Sequence, residues 1–164
     1  MSQKVAAVQM VSTANIDENL AAAGRLIAQA AEQGAALVLL PEVFAVLEGG
    51  PMREYGEEQG RGKIQDFLSG QAMKHQVILI GGTIPLISRP GLQADDPEYW
   101  VDQERVRPAS PVYDGSGALV ARYDKIHLFD VQVADSQASY SESRSYEGGT
   151  DLVTLPTPLG CLGL

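Results

Sequence analysis

The feature that most limits what this chain can fold into lies in its first 40 or so residues: an apolar run, a helical stripe and a second apolar run. "KVAAVQMV" is short and Val-rich and reads as a strand buried on both faces. Leu20, Ala23, Ile27, Ala30 and Ala31 then recur at helical spacing, with Leu26 widening the stripe. Asn15 or Asp17 can cap this helix, acidic residues fill its first turn, and Gly34 ends it. "ALVLL" follows at once as a second buried strand. A strand–helix–strand succession this tight implies a right-handed βαβ crossover, and so a parallel pair of strands in one sheet.

The alternation continues. Ile64, Phe67, Leu68 and Ala72 share one face of a second helix, and "VILIGGTIPL" reads as the strand after it. "ISRPGLQADDPEYWVDQERVRPAS" has no clean period and reads as a long surface excursion. "SPVYDGSGALVARYD" reads as two strands around a turn at Asp114 to Gly117. "KIHLFD", a polar loop, and two short strands at "LVTLPTP" and "GCLGL" complete the pattern, which is of the α/β class. At 164 residues and 45% hydrophobic content the chain can bury a core as a single domain, 1–164.

Composition narrows the functions. A net charge of −9 with no local basic cluster argues against nucleic acid as a partner and suits a soluble cytoplasmic protein. One cysteine cannot form an internal disulfide, so no oxidising compartment is required. No window has the length and apolarity of a membrane span or of a leader's apolar core. The glycine pairs Gly81-Gly82 and Gly148-Gly149 lack the spacing of a nucleotide fingerprint.

A few residues stand where chemistry is usually done. Glu42, in "LVLLPEVF", leaves the end of a buried strand, where α/β proteins gather functional side chains, and Pro41 restricts its angle of departure. It reads either as a solvated loop carboxylate or, flanked by Leu40, Val43 and Phe44, as a partly desolvated general base. Lys125, in "ARYDKIHLFD", reads either as a surface lysine paired with Asp124 or Asp130 or as a functional cation at a strand end. On a continuing strand His127 would share its face. Neither His127 nor His75 has metal-ligand spacing, so no metal is expected. Glu142 and Glu147 are ordinary acids of a polar loop when taken alone.

Taken in order, "LVLLPEVF", "ARYDKIHLFD", "YSESRSYEGG" and "TPLGCLGL" make the chain resemble the nitrilase (carbon–nitrogen hydrolase) superfamily, and "VAAVQM" and "NIDENL…AAEQGA" extend the likeness over most of its length. Within the superfamily it is most similar to amidases of deaminated glutathione and related ω-amides. The resemblance implies an α-β-β-α four-layer sandwich with a Glu-Lys-Cys triad, no metal or organic cofactor, a small amide substrate, and a homodimer or larger assembly. Glu42 matches the base, Lys125 the lysine, and Glu142 the second glutamate that positions them or relays the proton.

Cys161 departs from that pattern. The superfamily's nucleophile follows a Gly-x-(Ile/Leu)-Gly frame and precedes an aromatic–acid pair. Gly160-Cys161-Leu162-Gly163 puts Cys161 at the variable position of that frame. The expectation is therefore that Cys161 is a small, partly buried residue near a strand start. The nucleophile would fall about three positions past Leu164, which makes these residues the N-terminal part of the domain. The competing expectations are a non-catalytic relative that keeps the fold for binding or assembly, and metal-dependent hydrolysis through His75 and His127.

Overall fold

In a computed structural model, residues 3–47, 50–102, 104–132 and 139–164 are described. Strand β1 (Lys4–Ala7) and strand β2 (Ala35–Leu39) pair in parallel, joined by helix α1 (Ile16–Glu32), as the opening pattern requires. Asn15 is the cap: its side chain accepts from the amides of Asp17 and Glu18 at 3.0 and 3.3 Å. Gly34, at φ 83°, turns the chain out of the helix and into β2. Helix α2 (Lys63–His75) leads into β3 (Ile78–Ile80), which pairs in parallel with β2. The start of α2 has only Gly62 at its cap; the Glu57 carboxylate instead takes the amides of Ile64 and Gln65 at 2.6 and 3.1 Å.

The single strand expected at "VILIGGTIPL" is two. β3 ends at Ile80, and β4 (Ile84–Leu86) begins after a break at Gly81-Gly82. Both pair antiparallel with β5 (Arg107–Tyr113). They share one edge of it, because β6 (Leu119–Asp124) holds the other from Ala109 to Tyr113. The sheet breaks where the chain leaving β2 crosses it: a Cβ on Gly82 would lie 2.0 Å from the Pro41 carbonyl oxygen. Asp114 closes the β5–β6 turn by accepting from the Ser116 and Ala118 amides at 2.8 and 3.2 Å.

Helices α1 and α2 cover one face of this six-stranded sheet. Ile27, Ile64, Leu68 and Leu79 lie there at 1% exposure or less, each stabilising the fold by roughly 1.5–3 kcal/mol. On the opposite face Leu37, Ile80 and Val112 pack against Leu155, Leu159, Leu162 and Leu164. These leucines belong to an antiparallel hairpin and its turn. Helices, sheet and hairpin make three of the four layers expected, in α-β-β order.

Two further expectations need correction. β1 is not buried on both faces: it pairs only with β2 at the sheet's edge, and Val5 is 66% exposed. The hairpin packs on the sheet at Leu37, Ile80 and Val112 and not on Val5. Nor is the excursion expected from Ile87 to Ser110 purely superficial: its last four residues already belong to β5, which begins at Arg107. Tyr99, Val101 and Val106 are buried, and backbone bonds from Val101 to Ile87 and from Arg89 to Tyr99 fold the segment back on itself.

The polar loop after "KIHLFD" is partly a hairpin. β7 (Asp130–Gln132) pairs antiparallel with β8 (Ser139–Ser141), and residues 133–138 lie outside the described set. β9 (Thr154–Thr157) and β10 (Gly160–Gly163) form the hairpin on the second face.

Candidate active site

Three segments far apart in sequence converge beyond the end of β2. The first is the turn at Pro41, Glu42 and Val43. Leu40 and Phe44 turn inward to 1% and 0% exposure, which sends the Glu42 side chain between them outward, 54% exposed. The partial desolvation expected of Glu42 is therefore not found: its apolar neighbours point the other way. The turn is tied down from several sides. The Val43 amide donates to Thr83 Oγ1 at 2.9 Å, and the Ser12 hydroxyl donates to the Phe44 carbonyl at 3.2 Å. Asn19, buried on α1, donates to the carbonyls of Thr13 and Ala45 at 2.8 and 2.9 Å.

The second segment follows β6. The strand ends at Asp124, so His127 does not share the face of Lys125 by alternation; it stands exposed in the loop, while His75 ends α2. The Lys125 amide donates to Pro108 at 3.0 Å, and the Gly149 amide donates to the Lys125 carbonyl at 2.9 Å. The third is Glu142, which opens a short 3-10 turn (Glu142–Arg144) after β8.

Lys125 Nζ lies 2.7 Å from Glu42 Oε1 and 3.1 and 2.9 Å from the two oxygens of Glu142. Glu142 Oε2 also accepts the Phe129 amide at 2.7 Å. Burial pulls the Lys125 ammonium's pKa down, but its bonds to Glu42 and Glu142 outweigh burial and leave it raised. At neutral pH it is a fixed cation between two carboxylates. Burial, with the charges of Glu142 and Glu42, pushes the neighbouring Tyr146 phenol up to about 12. Glu42 and Lys125 line a cavity of about 510 Å³ whose wall also includes Thr83, Ser110, Tyr123 and Leu164.

Cys161 is not on that wall. In β10, Leu162 packs inward with Leu164, so alternation turns Cys161 to the other face, where it is exposed rather than partly buried as expected. Arg144, the nearest cation to Glu142 in sequence, is exposed and also absent from the wall.

What the sequence reading missed is Glu147. Its carboxylate takes Arg89 Nε and Nη2 at 2.7 and 2.8 Å and Arg107 Nε at 2.9 Å, with Arg105 at 3.6 Å. Arg107 continues to Asp124, which Arg122 also holds at 2.7 and 3.0 Å. Glu147 thus ties the excursion and β5 to the segment after Glu142, and Arg107 carries the network on to Asp124 of β6. Only the density of arginines near Arg105 and Arg107 hints at this in the sequence.

The hydrogen bonds from Arg89 hold the Glu147 carboxyl below its ordinary 4.5; burial opposes them and Arg107 reinforces them. Folding therefore favours the ionised form. The contribution is present above pH 4.5 and is lost as pH falls through the lowered folded value. Glu147→Gln should cost about 2 kcal/mol at pH 7, since Arg89 loses its charge-assisted bonds to Glu147 while Arg105 keeps Asp102 and Arg107 keeps Asp124. The deficit should shrink at pH 3.5. Urea unfolding at both pH values measures it; equal deficits would mean that the charge is not what stabilises.

Three comparisons bear on this arrangement. The family model for carbon–nitrogen hydrolase matches residues 4–164. Deaminated glutathione amidase of Yersinia enterocolitica is 33% identical over 161 residues, covering 98% of this chain and 52% of that protein. Omega-amidase NIT2 of Homo sapiens is 30% identical over 163 residues, covering 99% and 54% respectively. The chain therefore spans about half the length of the curated relatives it matches. Among solved structures, Nit3 of Saccharomyces cerevisiae, a member of branch 10 of the nitrilase superfamily, superposes with a TM-score of 0.74 at 27% identity, over 98% of this chain and 54% of that one.

Proposed function

This chain belongs to the carbon–nitrogen hydrolase family, and from that premise we propose that the full-length protein is an amidase of small carboxylated ω-amides, such as deaminated glutathione, in which Glu42 is the general base, Lys125 the oxyanion-stabilising cation and Glu142 the residue that holds Lys125. The observation that carries the reading is the Lys125 ammonium bonded to both carboxylates at the edge of a cavity. The nucleophilic thiol of this reaction is not that of Cys161. In support, Leu164 lines the cavity with Glu42 and Lys125, whereas Cys161 faces away.

The chemistry uses each group for what its type does well. A thiol with an ordinary pKa near 8.5 is mostly protonated at neutral pH, so Glu42 takes its proton as sulfur attacks the amide carbon. The carbonyl oxygen becomes an oxyanion, and the Lys125 ammonium, held in place beforehand, stabilises it. The C–N bond breaks as Glu42 returns the proton to the departing ammonia, leaving a thioester. Water then attacks the thioester carbon, Glu42 takes its proton, and the acid leaves as the thiol is restored. The protein works as a homodimer or larger assembly in the cytoplasm and requires neither nucleic acid nor membrane.

Ammonia release from deaminated glutathione and short ω-amides by the purified full-length protein tests the activity. Cys161→Ala should stay within about twofold of wild type, because an exposed thiol facing away from the cavity touches no reacting atom. Failure to hydrolyse any of these amides would overturn the reading. A folded but inactive Cys161→Ala would place the nucleophile at residue 161 instead.

A further inference from the structure

Val43, the residue after Glu42, has φ 50°. A β-branched side chain rarely occupies that left-handed region, so the conformation persists only where its surroundings impose it. Two neighbours on the broken strand do so. Gly82, itself at φ 57°, brings the backbone so close to Pro41 that no side chain fits between them. Thr83, the next residue, accepts the Val43 amide at 2.9 Å. Its hydroxyl is held as an acceptor by a backbone donor 40 residues away in sequence, on the same wall as Glu42.

We infer that Thr83 is a positioning residue for Glu42: its hydroxyl holds Val43 in the strained turn that aims the Glu42 carboxylate at Lys125. The inference rests on the catalytic role proposed for Glu42. Without the hydroxyl, the Val43 amide loses its acceptor and the turn loses the bond that holds its left-handed residue. Glu42 is exposed and, among the described residues, its side chain is bonded only to Lys125, so its direction depends on the backbone that carries it. Displacing a catalytic group by about 1 Å costs on the order of 100-fold in rate.

The test is steady-state kinetics of the full-length protein on the best amide found for it. Thr83→Val keeps the shape and removes the acceptor. It should lower kcat roughly 30- to 100-fold with KM within about threefold, and Thr83→Ser should recover most of the rate. A Thr83→Val with wild-type kcat, or one that raises KM alone, overturns the inference; the latter would mean that the hydroxyl binds substrate. Should Thr83→Val not fold, Thr83→Ala carries the test: it too removes the acceptor from the Val43 amide and should lower kcat, and a wild-type kcat there overturns the inference. Glu42→Gln is run beside them. If it is active, the catalytic reading itself falls; if it is inactive while Thr83→Val is normal, only the positioning role falls.

Discussion

Glu42→Gln in the full-length protein should lower kcat/KM by about 1,000-fold or more while leaving the Tm within a few degrees. The amide is nearly the same size as the carboxylate and can still accept from Lys125 Nζ, now 2.7 Å from Oε1. What it cannot do is take a proton from a thiol or return one to ammonia. The side chain is 54% exposed, so the exchange leaves no buried cavity and stability should hardly move. Lys125→Ala should be as damaging to the rate for a different reason: the oxyanion loses its cation, and Glu42 and Glu142 are left facing each other without it. Amide hydrolysis followed by ammonia release, with a melting curve for each variant, measures both. Activity within tenfold of wild type in either folded variant would remove that residue from the mechanism.

Gly82→Ala should be strongly destabilising, costing about 2–4 kcal/mol. The added Cβ would lie 2.0 Å from the Pro41 carbonyl oxygen and 2.9 Å from that of Leu40. Both are backbone atoms, which cannot swing aside as the tip of a long side chain would. At φ 57° an alanine is strained even where space exists. Relief would require the turn that carries Glu42 to move off the sheet, so activity should fall together with stability. Gly70 gives the contrast: a Cβ there meets nothing within 4 Å, and Gly70→Ala within α2 should be neutral or stabilising. Urea midpoints of the two variants compare them directly; a Gly82→Ala protein as stable as wild type would show that the Pro41 contact is not close in solution.

Much of this was legible one segment at a time. The α1 stripe, the Asn15 cap and the Gly34 stop follow from spacing and cap chemistry, which depend only on neighbours within a turn or two of helix. The Asp114 turn is equally local. The ordered motifs around Glu42, Lys125 and Glu142 pointed to the three residues that the fold brings together. The misreadings share another cause. Gly81-Gly82 looked like an uninterrupted part of one strand because the object it makes room for, the Pro41 carbonyl, is about 40 residues away. The burial expected for Glu42 came from its sequence neighbours, yet adjacent residues in a turn face different ways.

The sequence by itself determined the α/β alternation, the parallel opening pair, the family and the residue types available for chemistry. Tertiary structure alone decided that Lys125 meets a carboxylate 83 residues before it and another 17 residues after it, that Glu147 gathers arginines from 40 and 58 residues away, and that Cys161 looks outward. The physical reason is one of range. Periodicity, capping and turn chemistry act over a few bonds and leave their mark in adjacent letters. Ion pairs and close backbone approaches act through space between segments whose separation along the chain no local pattern records.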